Sequence, residues 1–243
     1  GTYGVLARAA LLSSIANSGT ISGSQYGVYL KSNSTLTGGL YNTGIVQGSN
    51  YALNIDAISL LSGGVTISGV TATFVGALGN AGLIQDGVNV NAGAITGGVY
   101  NTGTIGSGSV AGIYLASNAS LLSGLTNSGS IGGAFTGIKL AQSSLSGGLN
   151  NTGIVAGSTY AINIDANSLL SGGVTISGAT ATFVGALGNA GLIQDGVNVN
   201  AGALAGGVYN TGTIGSGSVA GIYLASNASL LSGLTNSGSI GGA

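Results

Sequence analysis

The side chains able to do chemistry are few, and their placement is repetitive. The only carboxylates are Asp56, Asp86, Asp165 and Asp195, and the only basic side chains are Arg8, Lys31 and Lys139. Histidine and cysteine are absent, which removes the imidazole base, the thiol nucleophile and the usual zinc ligands. The acids reduce to two repeated pairs, Asp56 with Asp165 and Asp86 with Asp195, at one common separation. A glycosidase needs two carboxylates across one bond, whereas Asp56 and Asp86 are well separated along the chain. An acid placed by a repeat reads as a corner group, so no enzymatic activity and no catalytic residue is expected. The Gln85-Asp86-Gly87 and Gln194-Asp195-Gly196 steps read as turns. Calcium at these steps is the alternative, weakened by the absence of the G-G-x-G-x-D repeat and of further oxygen ligands. No other cofactor is expected.

The residue that recurs most regularly is asparagine in the motif L-x-N-x-G-x-I. Its members are Asn17, Asn42, Asn80, Asn101, Asn127, Asn151, Asn189, Asn210 and Asn236. Most neighbours in this series lie about 21 to 26 residues apart, a solenoid period. The steps from Asn42 to Asn80 and from Asn151 to Asn189 are longer, and each contains T-A-T-F-V-G-A-L-G, an extra partial coil or a protruding loop. A longer repeat is superposed: residues 54–134 recur as 163–243 with four differences, Ile58/Asn167, Val70/Ala179, Ile95/Leu204 and Thr96/Ala205.

Such periods belong to solenoids, in which each coil packs only on its neighbours. A coil of this length accommodates three short strands and three corners. Parallel connections are right-handed by strong preference. The expectation is an all-β, right-handed parallel β-helix over residues 1–243, continuous, and cut from a longer array. The composition fits: 50 glycines without proline, 44% hydrophobic residues and a net charge of −1. Disordered chains are apolar-poor and charged, and a nucleic-acid binder needs a basic footprint that three cations cannot provide. No unbroken apolar run of about 20 residues marks a membrane helix.

Alternation assigns the facing, because strand residues two apart share a side. Leu40, Asn42 and Val46 form one inward set, with Val99, Asn101 and Ile105 the next. A buried amide must be hydrogen-bonded, so the asparagines are expected to stack as an inward ladder, with an ordinary turn asparagine as the alternative. A second strand type, as in Tyr26–Leu30 and Ala111–Leu115, points Val28 and Leu30 inward and Tyr29, Asn54, Tyr114, Lys139 and Asn163 outward. A third carries Leu36, Leu121, Leu145, Leu170 and Leu230, and Gly-Gly pairs follow it at the corners.

The outward partners of the motif strand are nearly uncharged and partly apolar. Tyr41, Thr43 and Ile45 are expected to share a face with Tyr100, Thr102 and Thr104, joined by Leu83, Ile154, Leu192 and Tyr209. Contiguous apolar surface marks contact sites, so this face predicts self-association into a filament or layer. The other reading is a monomeric stalk. A threonine array for ice binding is disfavoured by Ala81 and Leu83, which interrupt it.

The steps VYNTGTIGSG (99–108) and LTNSGSIGG (125–133) resemble those of the passenger regions of bacterial autotransporter and haemagglutinin-like surface proteins. The resemblance covers nearly the whole chain and is specific for architecture rather than activity. It implies an extracellular or cell-surface β-solenoid, anchored in the outer membrane only through a C-terminal barrel outside this chain. Family members serve as adhesins, surface layers and biofilm components. The leading functional expectation is a structural rod that builds a fibre, sheath or matrix; the second is an adhesin or stalk binding host or neighbouring-cell surfaces through its side faces.

Overall fold

A computed structural model describes residues 1–106, 108, 110–215, 217 and 220–242. Every strand pairing among the described residues is parallel, and each strand meets its counterpart one coil away. The fold is an all-β parallel solenoid. Glycine-rich corners and short β-branched strands favour this outcome, because successive coils then place like residues above one another at the roughly 4.8 Å strand spacing.

Each coil holds four strand positions rather than three, here called stacks 1 to 4 in chain order. Coil 2 illustrates them: Tyr26–Lys31, Thr35–Leu36, Leu40–Asn42 and the first residues of Ile45–Ile55. Stack 1 begins with Tyr3–Arg8 and ends with Ile222–Ala225, ten strands in register and hence ten coils. The long strand Ile45–Ile55 runs from stack 4 of one coil into stack 1 of the next. Ile154–Ile164 joins stack 2 to stack 3 in the same way. The coil thus has two sheet faces, one of stacks 4 and 1 and one of stacks 2 and 3. Sharp corners separate stack 1 from stack 2 and stack 3 from stack 4. The Gly-Gly pairs are gentler bends within a face, and Gly39 and Gly98 take positive φ there. The expected three-strand coil is corrected on this point. Coil length alone accommodates either count, and the bends within the faces account for the fourth strand.

The core is the inward set of all four stacks. Val28, Leu30, Leu36, Leu40 and Val46 of coil 2 are fully buried, each worth about 1.5–3 kcal/mol of apolar transfer. The largest buried side chains, Phe74 and Phe183, lie in the two T-A-T-F-V-G-A-L-G segments. Phe74 sits in the column between Val46 and Ile95. These segments are therefore core strands, not protruding loops.

The two long gaps in the asparagine series have a definite meaning. Asn42 occupies stack 3 of coil 2, and the next residue in its column is Ile67. Asn80 occupies stack 1 of coil 4, directly above Ile55. From one to the other the chain travels one and a half coils. Asn151 to Asn189 repeats the move in the opposite sense, with Ile176 above Asn151 and Ile164 below Asn189. Each extra half coil transfers the asparagine motif to the other side of the solenoid. The long repeat is accordingly four and a half coils in length, and Asn80 in stack 1 recurs as Asn189 in stack 3.

Candidate functional site

The asparagines form three separate stacks rather than one column: Asn17 and Asn42; Asn80, Asn101, Asn127 and Asn151; and Asn189, Asn210 and Asn236. Asn17 is half-buried, Asn236 exposed and the other seven buried. The Asn127 Nδ2 donates to Asn151 Oδ1 at 2.7 Å, to its own corner carbonyl of Gly129 at 3.3 Å and to Ile154 O of the next coil at 3.0 Å. Asn101 does the same with Asn127 Oδ1, Gly103 O and Ser130 O. Each amide with a motif asparagine above it hence seals its own corner and ties it to the next coil.

All these donations run toward the C-terminal neighbour, so a stack has two unlike ends. At the start, the Oδ1 has no donor beneath it. Among the described residues, the buried side-chain polar atoms lacking a partner are Asn80 Oδ1 and Asn189 Oδ1, the first members above each half-coil transfer. At the finish, Asn42 and Asn151 donate only to their own corner carbonyls, Gly44 O and Gly153 O, both at 2.8 Å. The corner glycine is required by crowding between coils. A Cβ on Gly129 would collide with the carbonyl oxygen of Gly103, and one on Gly44 with that of Gly19.

The opposite corner of each coil uses other chemistry. Ser32 and Asn33 adopt positive φ in coil 2, as do Ser117 and Asn118 in coil 5. Buried serines bridge these corners, with Ser34 N–H donating to Ser59 Oγ at 3.1 Å and Ser143 N–H to Ser168 Oγ at 3.2 Å. Asp56 ends one such run, accepting from Ser32 N–H and Ser59 Oγ, each at 2.7 Å. Partial burial by itself pushes the Asp56 carboxyl up, but these hydrogen bonds and the Lys31 charge outweigh it and hold the group below its ordinary value. Asp165 ends the equivalent run on the other side of the solenoid, taking Ser168 Oγ at 2.7 Å and Gln142 N–H at 3.0 Å. Sequence reasoning misses these serines, whose only signal is a serine two residues before the inward leucine.

The carboxylates are dispersed. Asp56 lies at a corner in coil 3, and Asp86 at a bend within a face of coil 4. Among the described residues no three His, Cys, Asp or Glu side chains cluster as a metal site. Asp86 borders a shallow cleft with Thr66, Asn89 and Tyr114, and Asp195 borders its counterpart with Thr175, Asn198 and Tyr223. One aromatic group does not repeat. Tyr3, Tyr26, Tyr29 and Tyr51 stack along the first three coils with centroids 4.7 to 6.0 Å apart. Tyr26 lies nearly parallel to Tyr29 at 4.7 Å, to Tyr3 at 5.5 Å and to Tyr51 at 5.9 Å. Lys31 lies 5.6 Å from the Tyr29 centroid.

The outward residues do not form one face. Tyr41, Thr43, Ile45, Leu192 and Tyr209 lie around the stack 3–stack 4 corner. Leu83, Tyr100, Thr102 and Ile154 lie around the stack 1–stack 2 corner, half a coil away. The half-coil transfer is the cause: Tyr41 and Tyr100 precede motif asparagines on opposite sides. The apolar members are solvent-exposed, Tyr100 at 45% and Tyr209 at 46%. No protein-family model, no curated protein and no solved structure matches this chain.

Proposed function

We propose that this chain is a structural rod of the cell exterior that assembles with copies of itself into a fibre, sheath or matrix. The carrying observation is the row of exposed apolar side chains beside the asparagine corners, among them Leu83, Tyr100 and Ile154, on a surface with almost no charge. Ten register-matched coils make a stiff repetitive body, and the near-identity of the two long repeats suits a spacer better than a unique site. Little charge also removes the repulsion that keeps soluble proteins apart. The exterior location draws its support from the composition and from the resemblance to autotransporter passengers. The adhesin reading needs a non-repeating patch. The half-buried tyrosine group of the first three coils is such a patch.

Cryo-electron microscopy of native material carrying the protein tests the reading. Filaments or layers with Tyr100 and Ile154 buried between neighbours are the expected result. Isolated rods with these side chains in solvent would refute assembly and favour a stalk or adhesin.

A further inference from the structure

The half-coil transfer puts like residues on opposite sides of the rod. Leu83, Tyr100 and Ile154 line the stack 1–stack 2 corner over coils 4 to 7, whereas the opposite corner carries Leu192 and Tyr209 in coils 8 and 9 and, apart from them, Ile45 in coil 2. Each residue of the first set lies one long-repeat length from a residue of the second, 83 with 192, 100 with 209 and 154 with 45. All six side chains are 37% to 46% exposed. We propose that the rod is bivalent toward copies of itself, carrying like contact residues on two opposite sides, so that association grows as an open layer.

Three observations select a second copy as the occupant. The two sides carry the same apolar side chains, Leu, Tyr and Ile, so whatever chemistry one side accepts, the other accepts too. Between the apolar anchors of the first side run hydroxyls, Thr102, Thr104, Ser128, Ser130 and Thr152, which line one groove. A hydroxyl both donates and accepts, so a hydroxyl row is complementary to itself, as a row of carboxylates or ammoniums is not. Charge is also absent: residues 87–138 contain no Asp, Glu, Lys or Arg, and two such sides can meet without burying an unpaired ion. One self-complementary patch closes as a dimer, whereas two on opposite sides leave a free patch on every added copy. Leu192 and Tyr209 lie four and a half coils beyond Leu83 and Tyr100, roughly 22 Å at the usual strand spacing, whereas Ile45 lies the same distance before Ile154.

This inference rests on the self-association proposed above, and the test separates the two. Sedimentation velocity over a concentration series would compare the wild-type chain with three variants. One carries Leu83→Lys, Tyr100→Lys and Ile154→Lys; another carries Ile45→Lys, Leu192→Lys and Tyr209→Lys; the third carries all six. Matching serine triples serve if a lysine triple loses its β-sheet circular dichroism. The expected pattern is wild-type mass growing past the dimer, each triple stopping at the dimer, and the sextuple remaining monomeric. Triples that grow like the wild type, or a single triple that abolishes all association, would overturn bivalency while leaving self-association intact. A wild-type chain that stays monomeric throughout would refute self-association itself.

Discussion

Asn127 and Asn80 carry the same side chain in the same motif, yet they do different work. Asn127 stands inside a stack: its Oδ1 accepts from Asn101 and its Nδ2 donates to Asn151, at 2.7 Å each. Asn80 stands at the start of that stack, above Ile55, with an Oδ1 that no donor reaches. The difference teaches that the worth of a ladder residue is set by the coil beneath it. It also shows what a half-coil transfer costs. Moving the motif to the other side ends one stack and opens another, and each opening above a buried aliphatic leaves one acceptor unsatisfied, a penalty of about 1–3 kcal/mol.

The comparison can be broken most severely at the corner glycine inside the stack. Gly129→Val drives a Cβ into the Gly103 carbonyl, and the expected outcome is loss of the ordered solenoid, read as lost β-sheet circular dichroism and rapid proteolysis between Asn101 and Asn151. Gly132→Ala, where an added Cβ meets nothing within 4 Å, should behave as wild type. Next in size is Asn127→Leu. It strips Asn101 of an acceptor and turns Asn151 Oδ1 into a new orphan, so a destabilisation of about 3 kcal/mol is expected in chemical denaturation. Asn80→Leu merely moves the existing orphan from Asn80 to Asn101, and its cost should be nearer about 1 kcal/mol. Equal losses for the two substitutions would show that stack position does not matter.

The smallest effect concerns the corner opposite the ladder. Burial pushes the Asp56 carboxyl up, yet the hydrogen bonds from Ser59 and Ser32 outweigh it and hold the group below its ordinary value. A depressed folded value means that the contribution is present above the unfolded value of about 4 and fades as pH falls through the folded value. Asp56→Asn should therefore flatten the acid limb of the thermal stability profile. An unchanged acid limb would show that Asp56 makes no such contribution.

Much of this architecture is legible in the sequence. Period-two alternation places Val28 and Leu30 inward and Tyr29 outward, since a strand has only two sides. Asn42 and Val46 are buried for the same reason. Alternation says nothing about which side of a coil a strand occupies, however. Ile67 and Asn42 are both acceptable inward residues, so the passage of the column from asparagine to isoleucine leaves no mark in the facing pattern. T-A-T-F-V-G-A-L-G reads as an interruption because it lacks the motif, although Phe74 and Leu78 are core residues. The grouping of Tyr41 with Tyr100 on one face fails on this point alone. The Gly-Gly pairs hide the fourth strand, because their composition is the same at a corner and at a bend.

The long step from Asn42 to Asn80 spans one and a half coils, and a cross-link reads this directly. The chain lacks cysteine, so a double variant Tyr41→Cys/Thr66→Cys places the only two thiols at register partners on adjacent coils, within the usual Cα range for a disulfide of about 4.4–6.8 Å. Mild oxidation followed by non-reducing electrophoresis and peptide mapping reads the result. Near-complete intramolecular closure is expected, because the strand Val65–Ser68 lies directly on Leu40–Asn42. Failure to close in a folded chain would mean that residues 65–68 leave the stack, that Asn80 follows Asn42 on the same side, and that the transfer does not exist.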